Sequence, residues 1–267
     1  GEKMIEFFDS HSHYNDEKFN QDRQEIIQAT YAGGITRWIC AGYDIASSYK
    51  SIELAQTYAP IYATCGISPN DVPNEKNKID TEIKQIEELL DNKKIVAIGE
   101  IGLDYYWNKE NKDIQKEMFI KQIELANKKQ LPIVIHTREA VEDTLTILKH
   151  EINVEKKGVF HCCPFNRELV KEALKLDFYI SIAGPVTFKN SKNAEEIVNM
   201  IPMNRLLIET DSPYLAPEPK RGTRNDSRNV KLIAQKIADF KNISIEEVAK
   251  ITYENAMRIF HITEKDI

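Results

Sequence analysis

Eight short apolar segments alternate with amphipathic segments along this chain, and this alternation constrains the fold more than any other feature. Most of the apolar segments are continuously apolar and rich in β-branched or aromatic residues, which is typical of strands buried on both faces of a parallel sheet. The predicted strands are Ile5–Phe8, Ile35–Cys40, Ile61–Gly66, Ile95–Gly99, Ile133–His136, Gly158–His161, Phe178–Ile182 and Leu206–Glu209. Repeated strand–helix units predict parallel strands joined by crossover helices.

The segments that separate these strands carry apolar residues at three- and four-residue spacing, the pattern of amphipathic helices. The predicted helices are Asp22–Ala32, Ile45–Tyr58, Ile79–Leu90, Asp113–Lys128, Val141–His150, Arg167–Lys175, Asn193–Met200, Asn229–Phe240 and Ile245–Phe260. Eight strand–helix units favour an α/β fold of the TIM (β/α)8 barrel type. A doubly wound open sheet is the alternative, but it does not explain why polar residues follow so many of the strands.

Chain length and composition fit one large domain. A barrel of this type needs about 250 residues, so the 267 residues of this chain predict a single domain over residues 1–267. Residues 1–3 are expected to be an addition before a natural start at Met4. Hydrophobic residues make up 42% of the chain and charged residues 29%, which is ordinary for a globular protein.

Several classes of protein are disfavoured by charge and patterning. The sequence has no run of about 18 apolar residues and no basic segment followed by an apolar stretch, so we expect no membrane span and a cytoplasmic enzyme, or a nuclear one in a eukaryote. The net charge of −6 argues against coating nucleic acid by bulk positive charge. The four cysteines form no CxxC pair and are expected to be free thiols. We expect a monomer without an obligate protein partner.

Histidine and carboxylate side chains follow five of the predicted strands, at the point where each strand ends. They are His11, His13, Glu100, His136, His161 and Asp211. The carboxyl ends of barrel strands all face one mouth, so these side chains are expected to converge there. Nitrogen and oxygen ligands without a thiolate suit Zn²⁺, Mn²⁺, Mg²⁺ or Fe²⁺. Six ligands are too many for one tetrahedral ion, which predicts two divalent ions that share a carboxylate.

Five ordered motifs carry a resemblance to a known family. They are Asp9-Ser-His-Ser-His13, Ile98-Gly-Glu-Ile-Gly-Leu-Asp104, Leu131-Pro-Ile-Val-Ile-His-Thr-Arg-Glu-Ala140, Gly158-Val-Phe-His-Cys162 and Leu207-Ile-Glu-Thr-Asp-Ser-Pro-Tyr-Leu-Ala-Pro217. Together they resemble the TatD-type metal-dependent deoxyribonucleases of the amidohydrolase superfamily, over essentially the whole chain. The resemblance implies a TIM barrel that hydrolyses phosphodiester bonds in DNA, and we expect exonuclease action.

The resemblance also implies roles for the six candidate ligands. One metal ion would be held by His11, His13 and Asp211, and the second by His136 and His161. Glu100 would bridge the two ions, and Asp211 would also accept a proton from the attacking water. Glu209 precedes Asp211 by two residues and is expected to tune the site from behind the ligands.

Four residues are predicted to contact the substrate. Arg138 follows a ligand closely and offers a planar fork that suits phosphate oxygens. Arg221 and Arg224 lie in a glycine-containing loop after the last strand, which resembles the Arg-Gly-Lys-Arg-Asn segment of the family. Ser68 stands where the family often has histidine; a serine donates a hydrogen bond but cannot act as an acid or base near neutral pH. Asp104 is expected to cap the loop that follows the fourth strand.

Two other functions are compatible with such a barrel. One is a small-molecule amidohydrolase that acts on a lactone, a cyclic amide or a phosphotriester. Many binuclear members of that group use a carboxylated lysine as the bridge, whereas this chain has Glu100 in that strand-four position, which favours the nuclease branch. The other is a non-catalytic binding module, whose expected signature is the loss of ligands, and none is lost here.

Overall fold

A computed structural model gives the fold of this protein and describes residues 4–153, 155 and 157–263. All eight predicted strands are present, and each pairs in parallel with the next one along the chain. The strands are β1 (Phe7–Ser12), β2 (Ile35–Ala41), β3 (Ile61–Cys65), β4 (Ile95–Asp104), β5 (Ile133–Arg138), β6 (Gly158–Phe160), β7 (Tyr179–Ile182) and β8 (Leu206–Ile208). The N-terminal addition predicted at residues 1–3 lies outside the described residues.

The first and last strands meet and bring the sheet to a nearly closed barrel. The amide of Asp211 donates to the carbonyl of His11 at 2.9 Å, and the amide of His13 donates to the carbonyl of Ser212 at 2.7 Å. Lower in the same seam, the hydroxyl of Ser10 donates to the carbonyl of Ile208 at 2.9 Å. The predicted TIM barrel is therefore confirmed, and the alternative of an open sheet is not.

Nine α-helices occur in the described residues, and the predicted helices match their bounds to within one residue at each end. They are α1 (Arg23–Ala32), α2 (Ile45–Thr57), α3 (Ile79–Leu89), α4 (Lys112–Lys129), α5 (Val141–Glu151), α6 (Arg167–Lys175), α7 (Ala194–Met200), α8 (Val230–Lys241) and α9 (Ile245–Ile259). Within the described ranges, no helix combines the length and the apolarity that are needed to cross a membrane.

The hydrophobic core has two parts. The larger cluster lies between the strands and the surrounding helices and includes Trp38 and Cys40 of β2. The smaller cluster takes side chains from every strand, among them Phe8 and Ile39, and packs against α9. Most of its strand members lie near the amino ends of their strands, so α9 covers the end of the barrel opposite the mouth.

Candidate metal centre

The mouth of the barrel contains a pocket of about 820 Å³. Its walls include five of the six predicted ligands, His13, Glu100, His136, His161 and Asp211. The sixth, His11, is buried directly behind them, with a 1% exposed side chain whose Nε2 lies 3.2 Å from Glu100 Oε2. The structure therefore brings together all six side chains that the sequence places after five different strands.

An irregularity in β1 turns the first two histidines toward the mouth. Asp9 pairs with Trp38 and Ser12 with Cys40, so three steps along β1 match two along β2. Strict alternation from Phe8, which packs inside the barrel, would direct His11 and His13 outward. The extra residue reverses the alternation and directs both imidazoles inward, which is a common use of β-bulges beside active sites.

A second irregularity, in β4, carries the predicted bridging carboxylate. Gly99 pairs with Val134 and Ile101 with Ile135, so Glu100 is an extra residue without a partner on β5. Two positions further, Gly102 has φ +145°, and a Cβ there would lie 1.9 Å from the carbonyl oxygen of His136. Only glycine lets β4 approach the histidine-bearing strand so closely.

The carboxylate of Glu100 lies among all four imidazoles. Its Oε2 is 3.2 Å from His11 Nε2 and 3.4 Å from His13 Nε2, while its Oε1 is 3.5 Å from both His136 Nδ1 and His161 Nε2. One oxygen thus faces His11 and His13 at the end of β1, and the other faces the histidines at the ends of β5 and β6. This division is what a carboxylate shared by two cations requires.

Asp211 completes the group on the β1 side. Its Oδ1 lies 3.1 Å from His13 Nε2 and 3.6 Å from His11 Nε2. The residue has φ +56°, a left-handed conformation that is uncommon outside glycine. The turn that follows β8 therefore points this carboxylate back into the pocket.

These spacings fit a metal centre. Two ligand atoms that are each about 2.1 Å from one ion at a tetrahedral angle lie about 3.4 Å apart. The imidazole–carboxylate distances scatter around that value, from 3.1 to 3.6 Å. Ligand atoms of His11, His13 and Asp211 lie within 4.8 Å of one another, and so do those of His11, Glu100 and His161. The donor set thus fits hard or borderline divalent cations.

Three of the histidines are oriented by an acceptor on the ring nitrogen that faces away from this group. His161 Nδ1 lies 2.8 Å from Glu209, His136 Nε2 lies 2.8 Å from Asp104, and His13 Nδ1 lies 3.0 Å from the carbonyl of Ala41. Such acceptors select the ring tautomer and hold the metal-facing nitrogen in place. The expected role of Glu209 behind the ligands is consistent with its contact.

His11 differs from the other three histidines. Its buried Nδ1 has no hydrogen-bond partner among the described residues. The ring instead stacks on the His161 ring, with the ring centroids 3.7 Å apart. Packing rather than a hydrogen bond therefore sets its orientation.

The electrostatics of this group are dominated by carboxylate–imidazole pairing. Burial opposes the charged form of Glu100, but His161, His11 and His13 outweigh burial and hold the pKa of Glu100 well below its ordinary value. The pKa of His161 is raised well above its ordinary value despite burial, because Glu209 and Glu100 stabilise its charged form. In this site, buried negative charge on the carboxylates and positive charge on the imidazoles stabilise each other.

The four predicted substrate residues fall into two groups. Arg138 and Ser68 line the pocket, and the Ser68 hydroxyl donates to Asp71 at 2.5 Å. Arg221 and Arg224 are not among the residues that line this pocket. Arg224 forms a two-pronged ion pair with Asp22, at 2.8 and 2.6 Å.

The sequence alone could not assign the full roles of several residues around the site. Asp104 caps its loop as expected, accepting from the amides of Tyr106 and Trp107, but it also contacts His136. The exposed Trp107 side chain lines the pocket, whereas the Tyr105 hydroxyl donates to Asp143, which packs that ring against the barrel rim. No local pattern distinguishes these roles, because each depends on a residue from another strand or loop.

Comparison with known proteins identifies the family. A family model described as TatD related DNase matches residues 8–261. The uncharacterized metal-dependent hydrolase YabD of Bacillus subtilis is 45% identical over 255 residues, which cover 96% of this chain and 99% of that protein. The uncharacterized metal-dependent hydrolase YcfH of Escherichia coli K12 is 35% identical over 257 residues, or 95% of each chain.

Solved structures show the same fold. The crystal structure of YJJV, a TatD homolog from Escherichia coli K12, matches with a TM-score of 0.90 at 23% identity, over 97% of this chain and 99% of that one. A TatD family hydrolase from Entamoeba histolytica matches with a TM-score of 0.84 at 24% identity, over 98% and 100%. Since the family model spans nearly all of the sequence and the relatives named above are metal-dependent hydrolases, this chain belongs to the TatD related DNase family and is a metal-dependent hydrolase.

Proposed function

We propose that this protein is a two-metal deoxyribonuclease that hydrolyses phosphodiester bonds of DNA as an exonuclease. The observation that carries the proposal is the position of Glu100, with one carboxylate oxygen facing each pair of histidines. His11, His13 and Asp211 would hold one divalent cation, and His136 and His161 the other, with Glu100 between them. Mg²⁺, Mn²⁺ and Zn²⁺ all suit this donor set.

Two such cations supply Lewis acidity at the phosphoryl oxygens and a more acidic water when they are bound. The protein contributes a proton acceptor at Asp211, whose carboxylate lies on the pocket wall beside the histidines of β1. His13, hydrogen-bonded at Nδ1 to the carbonyl of Ala41, keeps Asp211 oriented through the 3.1 Å contact of its Nε2. Asp211 would take a proton from water, whose oxygen would then attack phosphorus in line with the sugar oxygen. The P–O bond to the sugar would break, and the sugar oxygen would leave and take up a proton to give a hydroxyl.

Substrate binding is assigned to the part of the pocket that Arg138 and Trp107 line. The guanidinium of Arg138 lies 3.7 Å from the ring centroid of Tyr106 and 5.5 Å from that of Trp107. The side chain of Trp107 is 67% exposed. A guanidinium presents several donors to phosphate oxygens, and an exposed indole offers a surface on which a base stacks. One phosphate and one neighbouring base would therefore be bound beside the metal ions.

A small-molecule hydrolase is the second candidate. The pocket volume of about 820 Å³ lies in the range of about 300–1,000 Å³ that is usual for small-ligand sites. Arg138 is also the one Arg or Lys side chain among the described residues that line the pocket. A lactone, cyclic amide or phosphotriester needs no further cationic contacts, whereas a long polyanion gains from them.

The deciding experiment uses protein stripped of metal and reloaded with Mg²⁺, Mn²⁺ or Zn²⁺. End-labelled single- and double-stranded DNA are incubated with each form, and products are separated on a sequencing gel. We expect stepwise shortening from one end that depends on added metal. His136→Ala, purified in parallel, controls for contaminating nucleases and should be inactive. Equal cleavage by this variant, or no cleavage with any metal, would reject the nuclease proposal and favour assays on small esters and amides.

A further inference from the structure

Asp9 is a fully buried carboxylate that does not line the pocket. It lies on the outer side of β1, opposite Trp38 in the strand register. Four donors surround it. The amides of His11 and Thr210 donate to its Oδ1 at 3.2 and 3.0 Å, and the hydroxyls of Thr210 and Ser227 donate to its Oδ2 at 2.5 and 2.6 Å. A buried carboxylate with this many donors ties together the segments that carry them.

The first of these donors belongs to the bulge of β1. The extra residue lies between Asp9 and Ser12, where the ladder to β2 is interrupted. Amides in a bulge lack their regular ladder partner, and a buried amide without an acceptor is costly. Oδ1 of Asp9 supplies an acceptor to the amide of His11 inside this bulge. The same bulge directs His11 and His13 into the barrel.

The second donor belongs to the turn that presents Asp211. The amide of Thr210 donates to the same Oδ1, and the amide of Ser212 donates to the Thr210 hydroxyl at 3.2 Å. Asp211, between these two residues, is held in the left-handed region at φ +56°. Such a conformation persists outside glycine only where the surroundings determine it.

We propose that Asp9 is a positioning residue for the metal centre: its Oδ1 holds both the bulge that turns His11 and His13 inward and the turn that presents Asp211. The inference rests on the proposed metal site and adds to it a residue that touches neither metal nor substrate. The Oδ2 atom accepts from the Thr210 hydroxyl and also from Ser227, which begins the short 3-10 helix that leads into α8. The contact with Ser227 is thus the one hydrogen bond of Asp9, among the described residues, that does not involve the bulge or the turn.

The variants that test this proposal remove either the contacts with the amides or the contact with Ser227. Asp9→Ala removes both oxygens. Asp9→Asn keeps one oxygen for the two amides, while its NH₂ group faces hydroxyls that can accept. Ser227→Ala is the matched control, because it removes a hydrogen bond of the same carboxylate on the Oδ2 side and leaves both amide contacts intact. If Asp9→Ala does not fold, Asp9→Ser replaces it, since a serine hydroxyl reaches at most one of the two amides.

Each metal-free variant is titrated with Co²⁺, and binding is monitored through the visible absorption bands of the bound ion, which report ligand geometry. Thermal unfolding of each variant is recorded in parallel. Asp9→Ala, or Asp9→Ser, should bind Co²⁺ about 10–100-fold more weakly than the wild type, which is the range usual for residues that orient ligands. Its absorption bands should also differ from those of the wild type. Asp9→Asn should restore affinity and bands, and Ser227→Ala should lower the unfolding temperature alone. Wild-type affinity and bands in Asp9→Ala or Asp9→Ser, or an equal loss of affinity in Ser227→Ala, would overturn the inference. Failure of the wild type to bind Co²⁺ would instead overturn the proposed metal site.

Discussion

At the scale of single residues, two of the predicted substrate-binding arginines differ in the partners that their guanidinium groups already have within the protein. The guanidinium of Arg138 rests on Tyr106, with a centroid distance of 3.7 Å, and has no carboxylate partner among the described residues. Arg224 is held by both oxygens of Asp22 and by the carbonyl of Lys18. Donors that are already engaged within the protein are less available to a phosphate, so the two side chains should contribute unequally to substrate binding.

We therefore expect Arg138→Ala to lower kcat/KM on DNA by about 10–100-fold, mainly through KM, because a charged hydrogen bond contributes about 1.5–3 kcal/mol. The salt dependence of KM should become shallower, since one phosphate contact is lost. Arg224→Ala should retain near-wild-type kinetics. Steady-state rates at several salt concentrations test this comparison, and equal losses in the two variants would contradict it.

The six candidate ligands could be predicted from the sequence because each lies at or shortly after the end of an apolar strand. Their outer partners were harder to predict. Glu209 could be placed behind the site since it lies two residues from Asp211 in an extended segment. The contact of Asp104 with His136 joins the ends of two strands that lie 32 residues apart, and the pairing of Asp22 with Arg224 spans 202 residues. Neither leaves a local pattern in the sequence.

At the scale of elements, the helices were predicted closely, and two strands were not. β1 and β4 extend to Ser12 and Asp104, well beyond the predicted ends at Phe8 and Gly99. Both extensions contain polar or glycine residues and an irregular register, so neither the apolar run nor strict alternation continues through them. A period of two indicates that His11 and His13 share a side but does not indicate which side. The bulge decides that point.

A pH-dependent prediction concerns the contact between the end of β4 and the helices α4 and α5. The Tyr105 hydroxyl holds the pKa of Asp143 below its ordinary value of 3.8, against partial burial and with help from Lys116. Asp143 therefore stabilises the fold above that ordinary value, and this contribution is lost as the pH falls through the lower folded pKa. Since its side chain is 37% exposed, Asp143→Asn should lower the free energy of unfolding by less than about 1 kcal/mol near neutral pH.

Urea unfolding of Asp143→Asn and wild type from neutral pH down to about pH 3 should show the difference shrinking below about pH 4. Asp80→Asn serves as the matched control, because Asp80 is 81% exposed in its pairing with Lys121. A difference for Asp143→Asn that stays constant with pH would show that the carboxylate charge is not what stabilises this contact.

At the scale of the whole molecule, the candidate centre joins the first and the last strand of the sheet. His11 and Asp211 come from opposite ends of the sheet order, and Glu100 reaches both from β4. The barrel closes at the same place, through the amide of Asp211 and the carbonyl of His11. The order of strands could be predicted from the repeated strand–helix units, whereas the closing contacts depend on a seam between segments that lie 198 residues apart at Ser10 and Ile208.

A cation bound at this seam should therefore stabilise the closed barrel against unfolding. A site filled at about a hundredfold its Kd contributes about 2.7 kcal/mol, which for a domain of this size raises the unfolding temperature by roughly 5–10 °C. We expect wild-type protein to show this increase when Zn²⁺ or Mn²⁺ is added after treatment with a chelator, in a graded way with metal concentration. Glu100→Gln, which retains the shape of the side chain but not its charge, should lose most of it.

Asp143→Asn is the control for this comparison, because Asp143 is neither a candidate ligand nor part of the pocket lining, and its substitution should leave the metal-dependent increase unchanged. Calorimetric titration of the same samples gives the number of ions bound, which the proposed centre sets at two. An increase of the same size in Glu100→Gln would place the stabilising cation elsewhere. An increase that is complete at one ion per chain would instead reduce the centre to a single metal, with the carboxylate of Glu100 bound at one oxygen only.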